Sequence, residues 1–255
     1  MKNPQHILIT GASSGIGEAL ALYYAKEGAT LFLCGRNAER LGSVADACRA
    51  KQARVFAEKL DVTDAAAMEN WISRCDKIAP LDLVFANAGV SAGPADGGES
   101  AEMTRTIFNV NVNGVLNTVL PAVEKMKPRG RGQIALTSSL AGYRGLPSAP
   151  AYSGSKNAVR AWGEALRGHL KKSGIEINVI CPGFVVSRIT EKNKFPMPFL
   201  MPAQKAAKII AAGLRKNKGR ITFPPLLAFS VWAISCLPAS VAEFVLTKLP
   251  EKGSN

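Results

Sequence analysis

The segment from His6 to Glu27 constrains the chain most. The apolar run His6–Thr10 passes directly into Gly11-Ala-Ser-Ser-Gly15-Ile-Gly17, and an amphipathic stretch then continues to about Glu27, where Gly28 stops it. A short apolar run bounded by glycine reads as a buried strand, and the spacing after it reads as a helix. A second apolar run, Thr30–Cys34, completes a β-α-β unit. That unit requires two parallel strands joined by a crossover, so the chain is committed to a parallel sheet within its first 35 residues. At the glycine turn, amides without intrahelical partners meet the positive end of a helix dipole, which favours a phosphate. Gly11, Ser13, Ser14, Gly15, Ile16 and Gly17 therefore form the candidate cradle for a dinucleotide pyrophosphate. Glycine strings also make plain turns; the strand before this one and the helix after it favour the cradle.

The alternation continues to about residue 223. Strands are expected at Arg54–Leu60, Leu81–Ala86, Gln133–Thr137, Glu176–Ile180 and Arg220–Phe223. Helices are expected at Asn37–Lys51, at Asp64–Lys77 with Thr63 or Asp64 as cap, from the Ser91–Ser100 loop to about Lys127 with a kink at Pro121, and at Ala151–Leu170. This pattern predicts one α/β domain over 1–223, a doubly wound parallel sheet with helices on both faces and ligands at the carboxyl ends of its strands. An apolar helical extension occupies 224–255.

Several residues fall at those ends. An acid about 20 positions past the glycine loop would read an NAD ribose, and an arginine would accept the NADP 2′-phosphate. The second strand ends in Gly35-Arg36 with no carboxylate before Glu39, which points to NADP(H) over NAD(H); alternatively Arg36 only begins the next helix. Asp61, followed by Val62, is placed to accept from an adenine amino group, and the small residues of Asn87-Ala88-Gly89 permit close approach of a cofactor or of backbone. Asn111 sits inside a helix, where asparagine is a weak former, so its amide is expected to hold a water or a carbonyl near the site.

The stretch from Ser139 to Lys156 carries the chemistry. Tyr152 and Lys156 are four apart on a predicted helix and share one face. A free phenol, with pKa about 10, is a poor acid-base group at neutral pH, and an ammonium beside it is expected to lower that value. Ser139, at a strand end, can polarise a carbonyl oxygen next to the tyrosine. Tyr-x-x-x-Lys found alone is more often a helix surface pair; the surrounding pattern changes that reading.

Composition excludes other classes. Five cysteines without C-x-x-C spacing suggest neither a disulfide framework nor zinc, and two histidines, His6 and His169, leave little for metal or histidine-triad chemistry. The first strand starts near residue 6, which leaves no room for a signal peptide, and with the free cysteines this predicts a cytoplasmic protein. Of the formal charge of +13, +8 falls after residue 180, where eleven Lys/Arg face three Glu. No aromatic interleaving or reader motif accompanies this charge, so a nucleic-acid partner is not expected.

Taken together, Thr10-Gly11-x-x-x-Gly15-x-Gly17, Asp61-Val62, Asn87-Ala88-Gly89, Asn111, Ser139, Tyr152-x-x-x-Lys156 and Pro182-Gly183 occur in the order and spacing of a short-chain dehydrogenase/reductase, which the chain resembles from residue 5 to about 223. The resemblance implies a Rossmann fold. It also implies that Tyr152 is the acid-base, that Lys156 lowers its pKa and binds the nicotinamide ribose, that Ser139 orients the substrate oxygen and that Asn111 supports a proton relay. Pro182, Gly183 and Ser187 would contact the nicotinamide end, Ser187 standing where threonine is commoner.

The chain departs from the resemblance after Phe223. In place of a short glycine-rich tail come Pro224-Pro225 and two apolar stretches, Leu226–Leu237 and Ala239–Leu246, separated by Pro238. A homodimer through the helices starting near Met103 and Ala151 is expected in place of the family's common tetramer. The broken run is too short to span a bilayer, so it packs on the domain or a second subunit, or else it lies on a membrane with help from nearby basic residues. In the family, the segment corresponding to 184–202 covers the substrate. Here it holds Phe195, Pro196, Met197, Pro198, Phe199, Leu200 and Met201, which predicts a hydrophobic carbonyl or alcohol substrate, unless those side chains are core. The expected activity is NADP(H)-dependent interconversion of a carbonyl and a secondary alcohol. The alternatives are a lipid-directed 3-oxoacyl or 3-ketosphinganine-type reductase at a membrane surface and a non-catalytic NADP-sensing module.

Overall fold

Strands that are apolar throughout have no face to show to water, so the sheet they build must be covered on both sides. The computed structural model describes residues 3–92, 99–191 and 196–248. Its strands are β1 (His6–Thr10), β2 (Thr30–Gly35), β3 (Arg54–Lys59), β4 (Leu83–Ala86), β5 (Gly132–Thr137), β6 (Ile175–Pro182) and β7 (Arg220–Phe223). They form one sheet of order β3-β2-β1-β4-β5-β6-β7, every pair parallel. Leu8, for example, lies beside Phe32 on one flank and Val84 on the other. The order reverses between β1 and β4, and a crevice opens at the carboxyl ends of strands at such a switch.

The helices are α1 (Gly15–Tyr24), α2 (Ala38–Arg49), α3 (Ala65–Ile78), α4 (Ala101–Phe108), α5 (Gly114–Met126), α6 (Pro150–His169), the short α7 (Arg188–Glu191), α8 (Ala203–Arg215), α9 (Pro225–Ser235) and α10 (Ala239–Leu246). Alternation along the strands splits the core in two. Ile7, Ile9, Leu31 and Leu33 pack with Leu20 of α1, Val44 of α2 and Ile210 of α8. Leu8, Phe32 and Val84 turn to the other face, against Met68 and Trp71 of α3, Val119 of α5 and Val159 of α6. Each such side chain contributes about 1.5–3 kcal/mol by burial, against about 1 kcal/mol for a helix cap, so the two-sided core fixes the strand ends that carry the site.

Local chemistry sets the boundaries. Asn37 Oδ1 accepts from Arg40 N (2.8 Å) and Asp64 Oδ1 from Ala67 N (2.9 Å), so Asp64 rather than Thr63 caps α3. β4 begins at Leu83, two residues later than expected. Asp82 is engaged at the amino ends of β1 and β4, its carboxylate accepting the Gln5 and His6 amides at 2.9 and 3.1 Å. α1 stops at Tyr24, three residues before the expected Glu27. The single helix expected up to Lys127 is instead α4 and α5 joined by a widened π turn, Asn109–Asn113, with Pro121 inside α5. A π turn adds a residue to the helical ladder and is often found at functional sites. This one carries Asn111, which is fully buried.

Candidate active site

The end of β1 is bolted to the end of β4 by one hydroxyl. Thr10 Oγ1 donates to Phe85 O (3.2 Å) and accepts from Asn87 N (3.0 Å) and Ala88 N (3.2 Å), while Asn87 Nδ2 donates to Thr10 O (3.1 Å). This holds the glycine turn against Asn87-Ala88-Gly89. Gly11 takes φ +66°, and a Cβ there would stand 2.8 Å from Ala88 Cα, so both its backbone angle and its space require glycine. A Cβ on Gly17 would meet Gly11 O at 2.2 Å. Gly17 lies behind the cleft rather than on its wall; it allows α1 to start close to the strands.

A cleft of about 550 Å³ runs along this corner. Arg36, Asn37, Arg40, Asp61 and Val62 line the end nearest β2 and β3. Gly11, Ser13, Ser14, Gly15, Ile16, Asn87, Ala88 and Gly89 form its middle, and Ser139, Tyr152, Lys156, Pro182, Gly183 and Ser187 the end nearest β5 and β6. Asp61 Oδ1 also accepts from Thr63 N (3.0 Å) and Thr63 Oγ1 (2.9 Å), which fixes its carboxylate. Ser187 reaches across to the glycine turn, since a Cβ on Gly15 would lie 2.9 Å from Ser187 Cβ.

At the β5 end, Ser139 Oγ accepts from Ala141 N (3.1 Å) and donates to Pro182 O (3.5 Å), and Tyr152 lines the cleft with it. The Lys156 ammonium donates to Thr137 O (3.0 Å) and lies 5.8 Å from the centre of the Tyr152 ring. Burial pushes the Tyr152 pKa above its ordinary value, and the Ser139 hydroxyl opposes that rise. The expectation of a phenol acidified by Lys156 is therefore corrected for the protein alone. The ammonium is aimed at Thr137 O, and burial lowers its own pKa to about 8.

Asn111 does not line the cleft. Its Oδ1 accepts from Val90 N (2.8 Å), and its Nδ2 donates to Val90 O (3.0 Å) and Ser155 Oγ (3.0 Å). A Cβ on Gly89 would lie 3.2 Å from Lys156 Nζ and 3.3 Å from Asn111 Oδ1, so that glycine stands between the lysine on the cleft wall and the asparagine behind it.

Three contributors escaped the sequence reading. Arg40 lines the cleft with its Nε buried and without a hydrogen-bond partner; its signal was its place one helical turn beyond Arg36. Ser138 Oγ donates to Lys156 O (2.7 Å), tying the β5 end to α6. Glu99 accepts from the amides of Ala151 and of Tyr152, the latter at 2.9 Å. Pro150 at the first position of α6 has no N–H, and Ala149 has no side chain that could cap, so a carboxylate distant in sequence takes that place. The two ends of the 184–202 segment are clipped together by Val186 N to Met201 O (2.9 Å) and Met201 N to Phe184 O (3.1 Å). Phe199 and Leu200 are exposed and Met201 is buried, while Phe195 and the tip of the 91–100 loop lie outside the described residues.

A doubly wound parallel sheet with a glycine cradle at its switch point and a Ser-Tyr-Lys cluster beside it is the architecture of an oxidoreductase acting on alcohols and carbonyls. The short chain dehydrogenase family matches residues 5–196. An uncharacterized oxidoreductase of Myxococcus xanthus is 39% identical over 243 residues, covering 95% of this chain and 96% of its own. A 3beta-hydroxysteroid dehydrogenase of Mediterraneibacter gnavus is 36% identical over 190 residues, 73% of this chain and 68% of its own. Among solved structures, a short chain dehydrogenase/reductase of Burkholderia phymatum in complex with NAD superposes with a TM-score of 0.82 at 26% identity, covering 91% of this chain and 93% of its own. The chain belongs to the short-chain dehydrogenase/reductase family and is an oxidoreductase of that family.

Proposed function

We propose that the protein is an NADP(H)-dependent reductase of a hydrophobic carbonyl, running in reverse as an alcohol dehydrogenase. The observation that carries this reading is the grouping of Ser139, Tyr152 and Lys156 on the wall at one end of a cleft whose other end is lined by two arginines. The cleft suits a dinucleotide: Gly11 and Gly17 leave no room for a Cβ, and the buried, partnerless Arg40 Nε awaits an acceptor. Gly11, Ser13, Ser14, Gly15 and Ile16 would hold the pyrophosphate, Asp61 and Val62 the adenine, Asn87, Ala88 and Gly89 the middle of the molecule, and Lys156, Pro182, Gly183 and Ser187 the nicotinamide end. Arg36 and Arg40 would pair with the 2′-phosphate, a role for which guanidinium is suited.

When bound, the dinucleotide supplies hydride chemistry at its nicotinamide ring. Ser139 Oγ holds the substrate oxygen next to the Tyr152 hydroxyl, and Tyr152 gives that oxygen its proton in the reducing direction. The raised pKa keeps a proton on Tyr152 but makes it the weaker donor, a cost that the charge of Lys156 would offset as the phenolate forms. In the oxidising direction it must lose that proton, and the Lys156 ammonium stabilises the phenolate formed. Asn111, behind Gly89 from Lys156, supports the route by which the proton is replaced.

We take residues 1–223 as the catalytic body, 184–202 as its substrate lid and 224–255 as an extension. Five free cysteines, four of them buried, favour a cytoplasmic setting. Among the described residues no helix is long and apolar enough to cross a membrane. Phe108 and Leu120, exposed on α4 and α5, favour a homodimer through the helices starting near Met103 and Ala151, which are α4–α5 and α6. The relative named as a 3beta-hydroxysteroid dehydrogenase supports a hydrophobic secondary alcohol as the reduced partner.

A panel of hydrophobic ketones and alcohols with NADPH and NADP tests the reaction, and no turnover of any member would refute it. Arg36→Ala and Arg40→Ala should each weaken NADPH by about tenfold or more and NADH by about twofold or less; equal losses would refute the cofactor choice.

A further inference from the structure

Large apolar side chains lie exposed at the carboxyl end of the sheet, beside the cleft. On the lid these are Phe199 and Leu200. Phe199 holds φ +59°, a backbone angle that a bulky residue rarely adopts, and its side chain gains no burial there. The C-terminal helices add Leu226, Phe229 and Trp232 of α9 and Phe244 of α10, exposed by 62%, 63%, 50% and 62%.

The two groups share a base. A Cβ on Gly183, where the lid begins, would stand 3.0 Å from Pro224 Cδ and 3.1 Å from Leu227 Cδ2 at the start of α9. The inner side of α9, through Leu227, Ala228 and Val231, packs on Leu140 and Tyr143 of the turn that follows Ser139. Arg144 Nη1 then holds the carbonyls of Ser235 and Leu237 at 3.4 and 3.3 Å. α9 is thus anchored to the catalytic turn by one side while its other side stays apolar and open.

The Ser230, Ser235 and Thr247 hydroxyls of this extension are already bonded, and Glu243 is the one exposed carboxylate of α9 and α10. Ser230 Oγ donates to Leu226 O (3.1 Å), Ser235 Oγ to Trp232 O (2.7 Å) and Thr247 Oγ1 to Glu243 O (2.9 Å). Hydroxyls bonded within their own helix lose little on leaving water. Charge selects between a second copy and a lipid surface. A second copy would bring the same Lys205, Lys208 and Lys248 against themselves, whereas an anionic bilayer attracts them. Lys205 and Lys208, exposed at the start of α8, lie toward this end of the sheet, and Lys248 Nζ stands 3.9 Å from the Phe244 ring centre. Other basic residues before the tail do not join them. Lys216 and Lys218 precede β7 at the opposite end, Arg220 is paired with Glu164 at 2.8 Å, and Lys192 and Lys194 lie outside the described residues. With no described helix able to cross a membrane, contact is confined to the interface.

We propose that the lid tip and the outer faces of α9 and α10 form one docking surface for an anionic lipid bilayer, which sets the mouth of the cleft at the boundary of headgroups and acyl chains. The carbonyl substrate then arrives from the lipid; this last clause rests on the reductase reading, and the docking does not.

Flotation of the full chain with phosphatidylcholine vesicles, with and without phosphatidylglycerol, tests the surface. At low salt the protein should float with the anionic vesicles, about tenfold less with the neutral ones, and about tenfold less as the Phe229→Ser/Trp232→Ser double variant. That variant should keep the native far-ultraviolet circular dichroism and a cooperative thermal transition, which shows it folded whether or not any carbonyl is turned over. A native chain that stays at the bottom of the gradient at low salt overturns the proposal, and so does a double variant that floats as well as the native chain. A native chain that is dimeric and fails to float, and becomes monomeric with the two substitutions, assigns the face to a second copy and also overturns it. Flotation without turnover of any carbonyl leaves the docking standing and removes the reductase reading; turnover without flotation does the reverse.

Discussion

Replacing Lys156 by methionine should remove turnover and yet not weaken the fold at neutral pH. The Lys156 side chain is 4% exposed, and burial lowers its pKa from 10.5 to about 8. The gap between those values, at about 1.36 kcal/mol per pH unit, puts the cost of keeping the ammonium charged below pH 8 at roughly 3 kcal/mol. Methionine fills the same stem without charge but leaves Thr137 O without its donor, which costs about 1–3 kcal/mol. The variant should therefore be about 0–2 kcal/mol more stable than the native chain at pH 7. Because the folded pKa lies below the unfolded one, the unfolded chain binds more protons between pH 8 and 10.5, and the native protein gains stability as pH rises through that window. Above 10.5 the lysine is neutral in both states and the variant's advantage should vanish or reverse. Urea unfolding of both proteins at pH 7 and pH 10.5, without dinucleotide, measures this. A methionine variant that is less stable at pH 7 by the same margin as at pH 10.5 would refute the reasoning.

Two further perturbations probe the frame around the site. Thr10→Val keeps the shape but strips one donor and one acceptor from Phe85 O, Asn87 N and Ala88 N; it should cost about 2–4 kcal/mol in chemical denaturation, and Thr10→Ser should recover most of that. Glu99→Ala uncaps the helix that carries Tyr152. It should lower stability by about 1 kcal/mol and reduce kcat while leaving NADPH affinity nearly unchanged, with Glu99→Gln intermediate in both; full activity in the alanine variant would show that the cap does not position Tyr152.

The strands and the cradle were legible in the sequence because their cause is local. Ile7, Leu8 and Ile9 must all be buried, and only a sheet covered on both sides buries adjacent residues. The apolar tail was legible as two helices broken at Pro238 for a similar reason, since proline punctuates locally. What was not legible depends on contacts between segments far apart. The π turn at Asn109–Asn113 adds a residue where Asn111 bonds to Val90 and Ser155, and no periodicity signals that. Glu99 lies in the Ser91–Ser100 loop, and only the folding of α6 places two unpaired amides against it. The Tyr152–Lys156 spacing gave the shared face correctly but the wrong direction for the phenol's pKa, because burial is a property of the whole fold. The placement of the basic residues before the tail was likewise invisible: β7 carries the chain from one end of the sheet to the other, so neighbours in sequence separate in space.

Tyr152→Phe, assayed for NADPH binding and for turnover on the same preparation, tests the central claim most directly. Phenylalanine keeps the ring and its packing and removes only the hydroxyl that shares the cleft with Ser139. The dissociation constant for NADPH should stay within about threefold while kcat/KM falls by about 10²–10⁴. Turnover within about tenfold of the native protein, with binding intact, would show that this phenol is not the acid-base group.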